Sequence, residues 1–166
     1  VTRTEVVERA RRCIGQSCVY RLGRGGFHPN DKWPWESMTL PSCDCSGFVA
    51  WCLGVSRKTD NPFYREQNGG WFETTVLARD ARSPYGFVEM IPREVALIGD
   101  LLVYGDAKGK QGHVGIVSEV NADGPMKAIH CSLGNYKRSG DAVQETGVLA
   151  WERPDALVAR VAWVNG

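Results

Sequence analysis

Cys45 stands in Asp44-Cys45-Ser46-Gly47, and His113 follows 68 positions later in Gly112-His113-Val114-Gly115. A cysteine attacks a carbonyl carbon as its thiolate, and an imidazole beside it can take the thiol proton and hold the anion. These residue types therefore point to thiol-based acyl transfer. Cys45 opens a predicted helix, whose free N–H groups and dipole favour an anion, so its pKa is expected to fall. The same amides can hold the oxyanion of a tetrahedral intermediate. Asp44 is placed to cap that helix. Gly47, without a side chain, lets a substrate or another backbone come close.

His130 is the third candidate. Period-two alternation puts His113, Gly115 and Val117 on one strand face, and Ala128 and His130 on one face of a second strand. Each histidine has a very small neighbour two residues away, which reads as clearance for the Cys45 helix. His130 would then orient His113 through its other ring nitrogen, with Asn135 or Gln111 as alternatives in that place. Tyr20 on its own reads as a core tyrosine with a bonded hydroxyl. Trp33 and Trp35 either stack on a sugar or peptide or pack beneath their proline-rich loop.

The elements that must position these groups are legible in outline. Residues 4–14 have helical spacing, with Thr4 as cap and Gly15 as stop. Residues 18–22 are a short extended candidate, and 27–41 are broken by Pro29, Pro34 and Pro41. Residues 45–53 are apolar all round, which implies a buried helix. Residues 56–82 read as polar loop with one helix near 71–79, and 83–100, with Pro84, as a surface segment. Strands are expected at 101–104, 113–120, 127–131, 148–151 and 157–164. Helices first and strands later imply an α+β fold with an antiparallel sheet.

A chain of 166 residues suits one domain over 1–166, and 43% hydrophobic with 23% charged residues is the balance of a globular protein. No stretch approaches the roughly 18 apolar residues of a membrane span. A formal charge of +1 makes nucleic acid a poor partner. The chain begins at Val1, so a removed signal peptide stays open. The six cysteines lack the paired Cys-x-x-Cys spacing of structural zinc sites, so neither metal nor cofactor is expected. In an oxidising compartment Cys13 could pair with Cys18, or Cys43 with a distant partner, leaving Cys45 free.

Tyr20 with its Gly-rich turn, Asp44-Cys45-Ser46-Gly47-Phe48-Val49, Gly99-Asp100-Leu101-Leu102-Val103, Gly112-His113-Val114-Gly115-Ile116-Val117 and Ala128-Ile129-His130 carry a likeness. Together they resemble the NlpC family of cell-wall cysteine peptidases, from the first helix to about Cys131. Cysteine precedes histidine, which argues against the circularly permuted lipid-acyltransferase branch. The resemblance implies a papain-like fold with N-terminal helices packed on a C-terminal antiparallel sheet. It implies hydrolysis of amide bonds in peptidoglycan stem peptides, typically between γ-D-glutamate and a diamino acid. It makes Cys45 the nucleophile, His113 the base and His130 the third polar member. It makes Tyr20 the hydroxyl near the cysteine, and Asp44 and Ser46 the lining of a pocket for the stem's free amine. The expected molecule is a monomer that binds peptidoglycan peptide and is secreted, periplasmic or phage-associated.

The chain departs from simple members in three ways. The segment between Gly26 and Cys43 is long, Ile98 replaces the usual proline before Gly99-Asp100, and Cys43 lies beside the nucleophile. The alternatives are an N-acetylmuramoyl amidase, a transpeptidase or a thioesterase with the same site, or a non-catalytic cell-wall or phage-tail binding component.

Overall fold

A computed structural model describes residues 1–83 and 85–164, so the Pro84 break lies outside the described residues. The helices are α1 (Arg3–Arg12), α2 (Cys45–Cys52), α3 (Pro62–Asn68), α4 (Thr74–Asp80) and α5 (Leu133–Ser139). The strands are β1 (Val19–Tyr20), β2 (Ser42–Cys43), β3 (Val88–Ile91), β4 (Leu101–Tyr104), β5 (His113–Asn121), β6 (Gly124–Cys131), β7 (Val143–Gly147) and β8 (Leu157–Val161). Strands β1 and β2 form a small parallel pair, and the rest form a sheet in the order β3-β8-β4-β5-β6-β7. Every neighbouring pair in that sheet is antiparallel. This is an α+β fold in a papain-like arrangement, as the sequence implies. No helix among the described residues is long and apolar enough to cross a membrane.

Every residue of α2 is buried. Phe48, Val49 and Trp51 share a core with Val6, Val7 and Ala10 of α1 and with Val114, Ile116 and Ile129 of the sheet. Burying a side chain the size of Phe48 contributes roughly 1.5–3 kcal/mol, so apolar contact, not intrinsic helix preference, holds this short helix in place. A second, smaller core covers the other sheet face and contains Leu102, Val117, Ala128, Trp151 and Val158. Asp100, fully buried, receives Arg3 at 2.6 Å and Arg160 at 2.8 Å, and so ties α1 and β8 to the start of β4.

Several elements differ from the sequence expectation. Thr2 caps α1, not Thr4, because Thr2 has a glutamate three residues on: its hydroxyl accepts the Glu5 N–H, and Glu5 accepts the Thr2 N–H. Helices α3 and α5 occupy segments that read as loop or turn. Each is seven residues long and buries one residue, Tyr64 and Asn135 respectively, so neither shows an apolar stripe. Strands β3 and β7 are the two sheet edges and carry polar residues, which hides them from a hydrophobic pattern. Residues 148–151 are not a strand. They close in a 3-10 turn at Leu149–Trp151 that sets Trp151 beneath β5.

Candidate active site

Asp44 caps α2, accepting the Gly47 N–H at 2.8 Å, and Cys45 is the first residue of the helix. The backbone N–H groups of Val114 and Ser46 lie near enough to the Cys45 sulfur to favour its anion. Val114 directly follows His113 at the start of β5, so the sulfur lies against the peptide that carries the imidazole. His113 Nε2 is 2.7 Å from His130 Nδ1, and His130 Nε2 is 2.9 Å from Thr146 Oγ1. That commits His113 Nε2, while His113 Nδ1 has no hydrogen bond among the described residues. His113 and His130 are thus in contact with each other, and Cys45 lies against the start of the strand that carries His113.

The small residues beside the histidines have a different purpose from the expected one. Helix α2 packs on the sheet face of Val114 and Ile116. The opposite face, with Gly115, Val117 and Ala128, meets Trp151. A Cβ at Gly115 would stand 2.8 Å from the Trp151 ring and 3.2 Å from His130 Cβ. Trp151 stacks on His113 with ring centres 5.1 Å apart and planes 19° apart, and meets His130 edge-on at 5.1 Å. The clearance therefore admits an indole that fixes both imidazole planes. Sequence pattern alone does not single out Trp151, because the segment around it has the composition of a strand.

The expected fall in the Cys45 pKa is overturned. Burial pushes this thiol up to about 12, and the Asp44 carboxylate next to it adds to the rise. The Val114 and Ser46 N–H groups and Arg57 act in the opposite direction. Burial also holds His113 down at about 4, and His130 at about 3 with help from His113 and Arg138. The resting pair is a neutral thiol beside a neutral imidazole. Tyr20, half-buried on β1, has its phenol raised by burial first and then by Cys45 and Asp44, and it lines the same hollow as both.

Two hollows flank this centre. One, of about 240 Å³, is walled by Tyr20, Asp44, Ser46, Arg57, Trp71 and Asp106. The other, of about 310 Å³, is walled by Tyr104, His113, His130 and Leu133. Tyr20, Gln111 and Gly112 belong to both, so the two are halves of one cleft. A larger hollow against α1 holds none of the predicted site residues.

Asp44 is not available to a substrate amine. Its carboxylate takes Arg57 Nη1 and Nη2 at 2.5 and 2.7 Å, together with the Gly23 and Gly47 N–H groups and the Ser46 hydroxyl. Arg57 is 2% exposed, and nothing in the sequence pattern around it marks it as part of the site. The signal that points to it is an aspartate in an otherwise apolar helix mouth, which needs a buried counter-charge. Ser46 lines the cleft, but its hydroxyl is given to Asp44. Trp33 and Trp35 do not line the cleft. They stack on each other at 5.3 Å, with Trp35 buried in the core and Trp33 packed against it. The indole that does line it is Trp71, with the Arg57 guanidinium 4.7 Å from its ring centre.

The only possible metal-ligating group among the described residues is Cys18, Cys43 and Cys131, and it does not include Cys45. Their sulfurs stand 3.3 and 3.5 Å apart, and all three residues are fully buried. Cys131 donates to the Cys43 carbonyl at 3.3 Å and Cys18 to the Val19 carbonyl at 3.7 Å. These thiols satisfy one another as a packed wall behind the centre. All six cysteines are free, so none of the bridges raised from the sequence is formed.

A cysteine at a helix mouth, a histidine at a strand start and a shared cleft define a thiol hydrolase. A family model for the CHAP domain matches residues 35–135, well over half of the chain. The chain belongs to the CHAP family, whose domains occur in NlpC/P60-like and amidase cell-wall hydrolases. It is a cysteine- and histidine-dependent peptidoglycan hydrolase. No curated protein matches the chain. The matched span contains Cys45, His113 and His130 and leaves out Tyr20 and Thr146.

Proposed function

We propose that this hydrolase is an endopeptidase of peptidoglycan stem peptides, cutting the bond between γ-D-glutamate and the following diamino acid. Cys45 is the nucleophile, His113 the base and His130 the residue that orients it. The observation that supports the assignment is the 2.7 Å contact of His113 Nε2 with His130, which commits that nitrogen and leaves Nδ1 available for a thiol proton. Because thiol and imidazole are both neutral at rest, His113 takes the proton as the sulfur attacks, by general-base catalysis. The Cys45 N–H at the helix mouth and the Tyr20 hydroxyl face the developing oxyanion. His113 then protonates the leaving amine, and water, deprotonated by the same imidazole, hydrolyses the thioester.

The smaller half of the cleft supports a peptide over a sugar. With Asp44 neutralised by Arg57, Asp106 becomes the carboxylate for the free amine of the stem. Its Oδ1 accepts the Gly112 N–H at 2.6 Å, and Oδ2 has no hydrogen bond among the described residues. Digestion of purified peptidoglycan with mass analysis of the fragments tests the bond. The expected products are glycan that still carries an alanyl-glutamate dipeptide and a peptide with a new diamino-acid N-terminus. Glycan freed of intact stems would instead establish an amidase. Cys45→Ala should produce no fragments.

A further inference from the structure

We infer that Thr146 is a positioning residue that sets which ring nitrogens of His130 and His113 carry protons. This rests on the reading of Cys45 and His113 as nucleophile and base. Thr146 lies on β7, diagonal to His130 across the β6–β7 pair, where Ala128 faces Thr146 and His130 faces Gln144. Alternation puts Thr146 and His130 on the same sheet face. The Thr146 hydroxyl donates to the Gly147 carbonyl at 2.9 Å. A hydroxyl has one hydrogen, so with that hydrogen on the Gly147 carbonyl its oxygen accepts from His130 Nε2, at 2.9 Å.

The direction of every later bond follows. His130 carries its hydrogen on Nε2 and presents a lone pair at Nδ1. His113 Nε2, 2.7 Å away, must then donate. A neutral His113 with hydrogen on Nε2 has its lone pair on Nδ1, where the thiol proton has to go. Turned around, the same chain would put hydrogen on Nδ1 and leave the base without an acceptor for that proton. The Gly147 carbonyl, through Thr146, selects the working direction.

Asn135 cannot set this direction, although its Nδ2 lies 3.4 Å from His130 Nε2. Its two amide hydrogens go to the carbonyls of His130 and Ala142, both at 3.2 Å, and its Oδ1 accepts Arg138 at 2.8 Å. It holds the His130 backbone in place.

The test compares Thr146→Val, which keeps the shape and removes the hydroxyl, with Thr146→Ser, which keeps the hydroxyl. Nitrogen NMR of the imidazoles reads the tautomers without substrate, and steady-state kinetics on stem peptide reads the rate. In the parent protein, hydrogen is expected on Nε2 of both rings. Thr146→Val should mix the tautomers and lower kcat roughly tenfold with KM unchanged, and Thr146→Ser should restore both. A parent spectrum with His130 protonated at Nδ1, a valine variant with unchanged tautomers, or a serine variant that behaves like valine would overturn the assignment. Tautomers that follow Thr146 in a protein that cuts no stem peptide would sink the substrate reading and leave this one standing.

Discussion

Arg57 closes on both carboxylate oxygens of Asp44, one residue before Cys45, and the pair is almost fully buried at 2% and 1% exposure. It joins the mouth of α2 to the segment after that helix. A Cβ at Gly47 would collide with the Arg57 guanidinium and with the Arg24 and Gly25 carbonyl oxygens, so the glycine makes room for the pair rather than for substrate. Removing one partner leaves a buried charge uncompensated, which costs about 3–5 kcal/mol. Arg57→Met should lose stability on that scale by denaturant unfolding. The double variant Asp44→Asn with Arg57→Met should recover much of it. A methionine variant as stable as the parent would mean that the ion pair does not hold the mouth of α2 in place.

Gly115→Ala tests the indole beneath the histidines. The added methyl would stand 2.8 Å from Trp151 and 3.2 Å from His130 Cβ, inside ordinary contact. Overpacking of this kind costs about 1–3 kcal/mol. Relief requires Trp151 or the His130 backbone to move, and either shift tilts the planes that Trp151 holds. A fall in kcat larger than the loss of stability explains is therefore expected from paired kinetic and unfolding measurements. Unchanged kcat would show that Trp151 is packing alone.

The residues legible in the sequence are those whose chemistry is concentrated at one position. Cys45, His113 and His130 stand out because a nucleophile and two imidazoles with small neighbours form a pattern that packing alone rarely requires. The apolar composition of α2 announces its burial. What escapes is relational. Arg57 is an ordinary surface residue in a polar stretch until the fold lays it on Asp44. Trp151 and Thr146 matter through residues 21 and 16 positions away, on elements that are a turn and a polar edge strand. The thiol pKa runs against expectation because helix-end electrostatics can be read from sequence, whereas the depth of burial that outweighs it cannot.

The tryptophans separate packing from binding. Trp33 leans on the core under Arg12, whose guanidinium is 5.6 Å from its ring centre, and stacks on Trp35. Trp33→Ala should lower stability by about 2 kcal/mol, less than the cost of a fully buried tryptophan, and leave KM unchanged. Trp71→Ala should raise KM for stem peptide several-fold, since Trp71 walls the cleft that holds Cys45. Thermal unfolding and initial rates on one peptide decide both. The reverse pattern would return the substrate surface to the proline-rich loop.

A neutral resting pair has a chemical signature. Burial holds the Cys45 thiol at about 12, so alkylation by a small haloacetamide should be slow at neutral pH and still be rising in mild alkali. The signal specific to Cys45 is the difference between the parent and Cys45→Ala, followed by peptide mass mapping. Turnover needs neutral His113, held at about 4, so the acid limb of kcat/KM should lie well below the ordinary imidazole range. Rapid alkylation of Cys45 at neutral pH would show a preformed thiolate and imidazolium instead.

The same two histidines make the fold sensitive to acid. His113 is held at about 4 and His130 at about 3, against an ordinary 6.5 when the chain is unfolded. Between those values the unfolded chain binds protons that the native protein refuses, so unfolding draws in protons. Stability from this source is fully present above about pH 6.5 and is lost progressively as pH falls toward 4 and then 3. Unfolding free energies measured from pH 7 down to 4 should therefore decline, and His130→Gln should flatten the slope by about one proton. A slope unaffected by that substitution would mean that His130 takes up its proton as readily in the native protein as in the unfolded chain, and that burial does not hold it down.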